Sequence, residues 1–198
     1  MILDKCRLCN SKNLFKFLDL GLHPPADQFR KKIELNKETI FYPLKVLSCI
    51  SCGFKQLNYV VNPKILYQQN YPYESSITKK GVEHYAEFAN SVVKDFNLNK
   101  NDLVVDIGSN TGVLLNAFKK NKLKIAGIDP APNICKIAIK RGIPTINNFF
   151  NFSSVNKIIK KYGKAKVITG TNVFAHVHDL RTFIKNIKKL INNKKGIF

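Results

Sequence analysis

The segment 103–112 limits what this chain can fold into more than any other part of the sequence. It reads Leu-Val-Val-Asp-Ile-Gly-Ser-Asn-Thr-Gly, and the apolar run Val113–Leu115 follows it. Aliphatic residues that lead to an acid, then to glycine and small polar residues, and then to an apolar helix start are typical of a buried parallel strand that turns into a nucleotide-binding loop. Glycine at positions 108 and 112 allows a sharp turn and the close approach of a ligand. The N–H groups at the helix start favour electron-rich ligand atoms beside this loop.

Strands and helices alternate from Asp102 to the end of the sequence. Strands are predicted at 102–107, 124–128, 143–146 and 165–170, and helices near 112–121, 131–141, 153–162 and 179–191. Strands separated by single helices predict an α/β fold with a doubly wound, mostly parallel, Rossmann-like sheet and right-handed crossovers. Residues 196–198 begin a predicted fifth strand, so we expect the sheet to be incomplete at its C-terminal end. A further amphipathic helix is predicted over 79–97, where apolar residues recur at helical spacing.

Two pairs of cysteines lie within the first sixty residues. Cys6 and Cys9 form the first C-x-x-C pair, and Cys49 and Cys52 form the second, with Gly53 suited to the left-handed position after it. Each pair can direct two thiolates at one ion, and four thiolates complete the tetrahedral sphere of a structural Zn²⁺. The 39 residues between the pairs exceed the usual spacing of a zinc ribbon, but the pattern favours metal over disulfides and predicts a reducing, cytoplasmic compartment. The predicted parts are a small zinc-binding β module at 1–60, a connector and helix at 61–100, and the α/β domain at 101–198.

The net charge of +20 comes from 33 Lys and Arg residues against 13 Asp and Glu residues. The excess is mostly lysine scattered among Asn and Ile, without an arginine-rich stripe. A nucleic-acid partner is therefore less expected than an anionic small substrate, although a zinc-containing nucleic-acid-associated protein stays an alternative. No run of about 18 uncharged apolar residues occurs, so we expect no membrane partner.

An acid ends the second strand of the α/β domain. Asp129 lies seventeen residues beyond Gly112, where a carboxylate can accept hydrogen bonds from both ribose hydroxyls of an adenosine-type ligand. The loop after Asp106 has the pattern Gly-x-x-x-Gly and lacks the second, phosphate-cradling glycine of a dinucleotide site. The pattern therefore favours S-adenosylmethionine (SAM) as the cofactor, while a dehydrogenase remains an alternative. The predicted cofactor-binding residues of this region are Asp106, Gly108, Asn110, Gly112 and Asp129.

Other candidate site residues follow the later strands or lie in the connector. Phe149 follows the third strand, where its ring could lie against adenine, although it could equally belong to the core. Asn172 and His176 follow the fourth strand, whose carboxyl end faces the ligand crevice of such sheets. His176 is a candidate general base near neutral pH, and a structural role for it stays open. Tyr71 and Tyr73 are candidates either for substrate binding or for packing two modules together.

Several motifs occur in a fixed order between residue 6 and about residue 180. They are Cys6-x-x-Cys9, Leu20-Gly21-x-x-Pro24 with Phe29, Tyr42-Pro43-Leu44, Cys49-x-x-Cys52-Gly53, Tyr71-x-Tyr73-x-Ser75-Ser76, Val105-Asp106-Ile107-Gly108-Ser109-Asn110-x-Gly112, Gly127-Ile128-Asp129-Pro130 and Asn172-Val173-Phe174-Ala175-His176-Val177. In these motifs and their order the chain resembles the sugar-nucleotide C-methyltransferases. That family carries an N-terminal zinc-binding domain before a class I SAM-dependent methyltransferase domain.

The resemblance implies that the substrate is a keto-deoxysugar attached to a nucleoside diphosphate. A base would remove the proton next to the ketone, and the resulting carbanion would attack the S-methyl group. The residues that the resemblance places at the sugar are Tyr71 and Tyr73, and those that it places at the cofactor are Gly108, Asn110, Gly112 and Asp129.

Two departures from the family pattern bear on activity. Thr111 stands where the family commonly has an acid. The family also continues for about as many residues again, with the last strands and a C-terminal domain that supplies a histidine implicated as the base. We therefore expect a C-terminally truncated member, whose activity as a single chain stays open. The alternative is a non-catalytic SAM-binding fragment that needs a partner chain for the missing part.

Overall fold

The computed structural model describes residues 1–27, 29–68, 71–192 and 195–198. Residue 28 of the predicted zinc module, residues 69 and 70 of the connector, and residues 193 and 194 of the α/β domain lie outside this part. Contacts divide the chain into two compact units. The first unit comprises residues 1–72 with 178–180, and the second comprises residues 73–177 with 181–198. The boundary at Tyr73 falls inside the segment 61–100 that the sequence predicts as a connector and helix.

The first unit is built around a three-stranded antiparallel sheet. Its strands are β1 (Leu14–His23), β2 (Tyr42–Cys49) and β3 (Lys55–Leu57), which pair in that order. Leu14 lies opposite Cys49 at one end of the β1–β2 ladder. A short helix, α1 (Pro63–Tyr67), follows, and the Asn62 side chain caps it by accepting a hydrogen bond from the Lys64 N–H at 3.0 Å.

Few side chains of the first unit are buried. Among the described residues up to Pro72, only Cys6, Cys49 and Gln56 are buried. Apolar residues of β1 stay at the surface, and Phe15 and Leu22 are 57% and 63% exposed. A unit that buries so little apolar surface needs another source of stability, such as a bound metal.

The second unit contains a four-stranded parallel sheet. Its strands are β4 (Leu103–Ile107), β5 (Lys124–Asp129), β6 (Thr145–Asn147) and β7 (Val167–Thr169), in the spatial order β6-β5-β4-β7. The chain moves outward from β4 to β6 and then returns to the other side of β4 as β7. This reversal is the topological switch point at which sheets of this type bind ligands. The predicted doubly wound parallel sheet is confirmed.

Helices cover both faces of this sheet. They are α2 (Lys79–Asp95), α3 (Val113–Lys120), α4 (Pro132–Lys140), α5 (Phe152–Tyr162) and α6 (Leu180–Leu190). Val105 and Ile107 pack on one face with residues of α5 and α6, whereas Val104 packs on the other face with residues of α2, α3 and α4. Because successive strand residues point to opposite faces, β4 is buried along its whole length. This central burial holds the carboxyl end of β4 in a fixed place.

Two strands at the margins of the sheet differ in detail from their predicted bounds. Pro144 has no N–H to donate, so the pairing of β6 with β5 begins at Thr145, and β6 lies slightly later than the predicted 143–146. Ile197, in the segment 196–198 where a fifth strand is predicted to begin, forms an isolated parallel bridge with Val167 of β7. None of the helices in the described ranges combines the length and apolarity that crossing a bilayer requires.

Candidate functional site

The loop between β4 and α3 has a left-handed backbone at three positions. The φ angles of Gly108, Asn110 and Gly112 are 66°, 49° and 79°. A Cβ atom at position 112 would lie 2.8 to 3.0 Å from atoms of the Ile143 side chain, and one at position 108 would lie 2.6 Å from Cγ2 of Val173. Conformation and space therefore both require glycine at these two positions. The contact at position 108 also shows that the segment after β7, which carries Val173, borders the loop.

Asp129, at the end of β5, closes the loop from the neighbouring strand. Its Oδ2 accepts a hydrogen bond from the Asn110 N–H at 2.9 Å, and its Oδ1 accepts one from the Ala131 N–H at 2.9 Å. Each oxygen keeps a lone pair with which it can accept a hydrogen bond from a ligand hydroxyl. Burial raises the pKa of Asp129, and the two N–H groups lower it in part. This acid lies beside the glycine loop, as a ribose-binding acid must.

Three donors hold the main-chain carbonyl of Asp129. They are Nδ2 of Asn147 at 3.0 Å, the N–H of Asn148 at 3.0 Å and Sγ of Cys135 at 3.2 Å. Burial raises the pKa of the Cys135 thiol to about 12, so it stays protonated and can donate. Phe149 follows Asn148 directly and is half-buried, and its N–H donates to Oδ1 of Asn148 at 2.8 Å. A place for its ring against adenine stays a prediction. Sequence reasoning gave no role to the Cys135 thiol.

Asp106 is the second acid of the site. It is 3% exposed near the end of β4, and its Oδ1 accepts a hydrogen bond from the Thr169 hydroxyl at 2.7 Å. Burial raises the pKa of Asp106 to about 7; the Thr169 hydrogen bond lowers this pKa, and the nearby charge of Asp129 raises it. Thr169 was missed at the sequence level, and the only signal for it is its place at the end of a strand that pairs with β4.

The raised pKa of Asp106 leads to a prediction about stability. In the unfolded chain this carboxyl ionises near pH 4, so between about pH 4 and pH 7 the unfolded state binds fewer protons and stability falls as the pH rises. When the pH rises from about 5.5 to about 8, we expect the free energy of unfolding to fall in the unaltered chain. The fall should be roughly 2 kcal/mol larger than in the Asp106→Asn variant. Denaturant titrations of both proteins at the two pH values measure this. Equal losses would contradict the prediction.

The two acids beside the loop suit SAM better than a ligand that presents a pyrophosphate to the loop. Two carboxyl groups, Asp106 and Asp129, lie at the carboxyl ends of adjacent strands. Acids at this position attract the ammonium and sulfonium charges of SAM and can accept hydrogen bonds from its ribose, whereas they repel a phosphate. The residues present therefore fit this cofactor.

The side chain of Asn110 is directed at the connector. Its Nδ2 donates to the carbonyl of Tyr73 at 3.0 Å, and its Oδ1 accepts from the N–H and the hydroxyl of Ser75 at 2.9 and 3.2 Å. Tyr73 is 56% exposed and lies in the same unit as the loop. Tyr71 belongs to the first unit, where its ring lies edge-on to that of Tyr67 with centroids 5.9 Å apart. Ser75 is thus a neighbour of the site to which sequence reasoning gave no separate role.

The predicted site residues after β7 lie on an exposed segment. Asn172 is exposed and left-handed, with φ of 57°. His176 is exposed at the end of a single 3-10 turn, Phe174–His176. Neither side chain makes a hydrogen bond to the described residues of the loop, although Val173 between them contacts position 108. A cofactor role for Asn172 and a catalytic role for His176 stay predictions.

The four cysteines of the first unit come together. Their Sγ atoms all lie within 4.8 Å of one another. The Sγ atoms of Cys6 and Cys52 are 3.7 Å apart, and those of Cys9 and Cys49 are 3.6 Å apart. A tetrahedral site with Zn–S bonds of about 2.3 Å has sulfur atoms roughly 3.8 Å apart. The thiols therefore have the spacing that a zinc ion requires.

Two similar turns present these thiols. In the first, the Asn10 N–H donates to the carbonyl of Cys6 at 2.9 Å, and in the second the Gly53 N–H donates to the carbonyl of Cys49 at 2.8 Å. Asn10 and Gly53 are both left-handed, with φ of 65° and 75°. The conformation predicted for Gly53 is confirmed. Asn10 takes the same part in the first turn, because asparagine tolerates this region better than most residues do.

Comparison with known proteins assigns a family to each part of the chain. The family described as "Putative zinc binding domain" matches residues 6–67, and the family described as "Methyltransferase domain" matches residues 82–198. The C-methyltransferase NovU of Streptomyces niveus is 30% identical over 190 residues, which are 96% of this chain and 45% of NovU. This chain therefore spans less than half the length of that relative.

Solved structures of methyltransferases resemble this chain at lower similarity. SAM-bound CalS10, an amino pentose methyltransferase from Micromonospora echinaspora, is 15% identical over 58% of this chain and 48% of its own, with a TM-score of 0.46. A SAM-dependent methyltransferase from Clostridium acetobutylicum is 16% identical over the same shares, with a TM-score of 0.47. With more than half of its length matched by one family, this chain belongs to the methyltransferase-domain family, and it joins a SAM-dependent methyltransferase fold to an N-terminal zinc-binding domain with a four-cysteine cluster.

Proposed function

We propose that this chain provides the zinc-binding and cofactor-binding parts of a SAM-dependent C-methyltransferase that acts on a keto-deoxysugar attached to a nucleoside diphosphate. The observation that carries the proposal is the presence in one chain of a four-thiol cluster and an acid-closed glycine loop. NovU, named as a C-methyltransferase, aligns with both over nearly the whole chain. The sequence resemblance to sugar-nucleotide C-methyltransferases supports the substrate class.

The charge distribution supports an anionic substrate. Residues 113–198 carry 18 Lys and Arg residues but only two Asp and Glu residues, so most of the net positive charge lies in the cofactor half of the chain. A positive field of this kind raises the local concentration of an anion such as a nucleoside diphosphate. The zinc cluster needs reduced thiols, which is why we place the protein in the cytoplasm.

The reaction needs a base, a hydrogen-bond donor and a methyl group. When bound, SAM supplies an electrophilic methyl group. Asp129 would accept hydrogen bonds from the ribose hydroxyls, and the hydroxyl of Tyr73 would donate to the sugar's keto oxygen as negative charge develops there. A role for Tyr71 at the sugar stays a prediction from the sequence resemblance. His176 is our candidate for the base that takes the proton from the carbon next to the ketone. The C–H electron pair then moves into the enolate. Its carbon would form the new C–C bond as the methyl group's bond to sulfur breaks and S-adenosylhomocysteine leaves with that electron pair.

An assay of methyl transfer tests the proposal. The purified chain is mixed with SAM labelled in its methyl group and with a panel of nucleoside-diphosphate keto-deoxysugars. We expect label in a C–C bond of a keto sugar and none in the matched sugars whose ketone has been reduced to an alcohol, because only the ketone acidifies the neighbouring C–H bond. Label in the reduced sugars would contradict carbanion chemistry. No transfer to any keto sugar would contradict the activity for this chain and favour a cofactor-binding fragment that needs a partner chain.

A further inference from the structure

We propose that Ser75 is a positioning residue, which ties the segment carrying Tyr73 to the cofactor loop through the side chain of Asn110. Cofactor binding would then fix the place of Tyr73, which the proposed function puts at the sugar. The inference rests on that proposed function but concerns a residue outside it.

The contacts place one carboxamide between the two segments. Both ends of the Asn110 side chain are used, since its amide nitrogen donates to the Tyr73 carbonyl and its oxygen accepts two hydrogen bonds from Ser75. The Ser75 hydroxyl also lies 3.4 Å from the hydroxyl of Thr111, which is 1% exposed. Residues 73 and 75 are therefore held at two points by a loop that lies 35 or more positions further along the chain.

The backbone of Asn110 connects the same residue to the cofactor acid. Its N–H donates to Oδ2 of Asp129 at 2.9 Å, while its side-chain oxygen accepts from the N–H and the hydroxyl of Ser75. A ligand whose ribose binds Asp129 would therefore contact the carboxylate that accepts from the Asn110 N–H. Asn110 in turn holds the carbonyl of Tyr73. Because binding free energies are linked reciprocally, a cofactor that steadies Asn110 also steadies the segment, and a fixed segment favours the cofactor.

The hydroxyl of Ser75 is the part of this contact that substitution can remove cleanly. Ser75→Ala keeps the N–H donor but loses the hydroxyl donor to Asn110 and the contact with Thr111. Ser75→Thr retains a hydroxyl and is the conservative variant. Ser76 is the matched control, because it is the same residue type one position further on, is also half-buried, and its hydroxyl makes no hydrogen bond with the described residues.

A single tryptophan can report the position of the segment. The chain contains no tryptophan, and Tyr73 takes part in the contact through its carbonyl while its side chain is largely exposed, so Tyr73→Trp preserves the contact. The probe ligand is S-adenosylhomocysteine, the demethylated form of the cofactor. A second probe, Phe96→Trp, serves as the control at a distance from the segment. Phe96 follows the C-terminal end of α2, roughly 25 Å along that helix from its N-terminal end, which is the end closer in sequence to Tyr73.

We expect S-adenosylhomocysteine to raise the fluorescence anisotropy of Tyr73→Trp and to leave that of Phe96→Trp unchanged. Adding Ser75→Ala should abolish most of the Tyr73→Trp response and weaken the dissociation constant of the ligand by no more than about fivefold, the cost of one hydrogen bond between neutral groups. Ser75→Thr should restore the response, and Ser76→Ala should leave it intact. If Ser75 had only a structural role, Ser75→Ala would lower thermal stability, but the variant that still binds S-adenosylhomocysteine would keep the anisotropy response of Tyr73→Trp.

The two ways of failing are distinct. Ligand binding with the same anisotropy response in Ser75→Ala as in its parent would overturn this inference and leave the proposed function standing. Failure of S-adenosylhomocysteine to bind any of the variants, including Ser76→Ala, would overturn the proposed function and the inference together.

Discussion

Removal of zinc is expected to unfold the first unit while the second unit stays folded. Only three side chains are buried among the described residues up to Pro72, and two of them are the metal-ligand candidates Cys6 and Cys49. Structural zinc contributes roughly 10–16 kcal/mol in small zinc domains, which is as much as the entire stability of many proteins. Loss of the metal therefore leaves β1, β2 and β3 without enough apolar burial to stay together.

Metal analysis, thiol alkylation and amide hydrogen exchange measure this outcome. The protein should contain about one equivalent of zinc, and a strong chelator should make Cys6, Cys9, Cys49 and Cys52 reactive and remove exchange protection from the first unit. Cys135 is the internal control, because it is 2% exposed, has a raised pKa and lies in the second unit, so it should stay unreactive. Cys52→Ser should mimic chelation, whereas Cys135→Ala should retain zinc. A metal-free protein that is protected in the first unit while all four thiols react would contradict the account.

Asp129→Asn is expected to weaken the binding of S-adenosylhomocysteine about a hundredfold. The change removes the negative charge and one of two acceptor oxygens, and each hydrogen bond from a neutral donor to a carboxylate is worth roughly 1.5–3 kcal/mol. It also leaves either the Asn110 or the Ala131 N–H without its acceptor, which loosens the loop. Isothermal titration calorimetry gives the dissociation constants directly.

Asp102→Asn is the matched control for this change. Asp102 is also an acid whose carboxylate accepts a backbone hydrogen bond, from the Asn99 N–H at 2.8 Å, but it lies just before β4, at the opposite end of that strand from the loop. We expect the Asp102→Asn variant to bind S-adenosylhomocysteine with the same dissociation constant as the unaltered chain. Urea unfolding of both variants checks that they are folded, and equal weakening in the two would show that Asp129 has no particular part in binding.

The sequence predicts the parts of this protein that depend on local patterns. The buried run of β4, the glycine loop and the acid at the end of β5 follow from periodicity and from the rule that neighbouring parallel strands end at one edge. The four thiols likewise meet because two tight turns each present a pair. These features need no knowledge of which distant side chains touch.

Contacts between distant residues account for what the sequence could not predict. Thr169 reaches Asp106 across 63 positions, and Ser75 reaches Asn110 across 35, through hydroxyl groups that carry no signal of their own. Gln56 is another example, since its buried amide accepts from the Arg7 N–H at 2.8 Å and donates to the Lys5 carbonyl at 2.9 Å, thereby bracing the first cysteine turn. Such pairs depend on the final packing, which residue patterns do not specify.

The most direct test of the account is a calorimetric titration of the unaltered chain with S-adenosylhomocysteine and, separately, with NAD⁺. The acids at the ends of β4 and β5 and the missing second glycine predict saturable binding of about one equivalent of S-adenosylhomocysteine and no saturable binding of the dinucleotide. Binding of NAD⁺ in preference to S-adenosylhomocysteine, or no binding of the latter to the folded, zinc-loaded protein, would contradict the central claim that this loop is a SAM site.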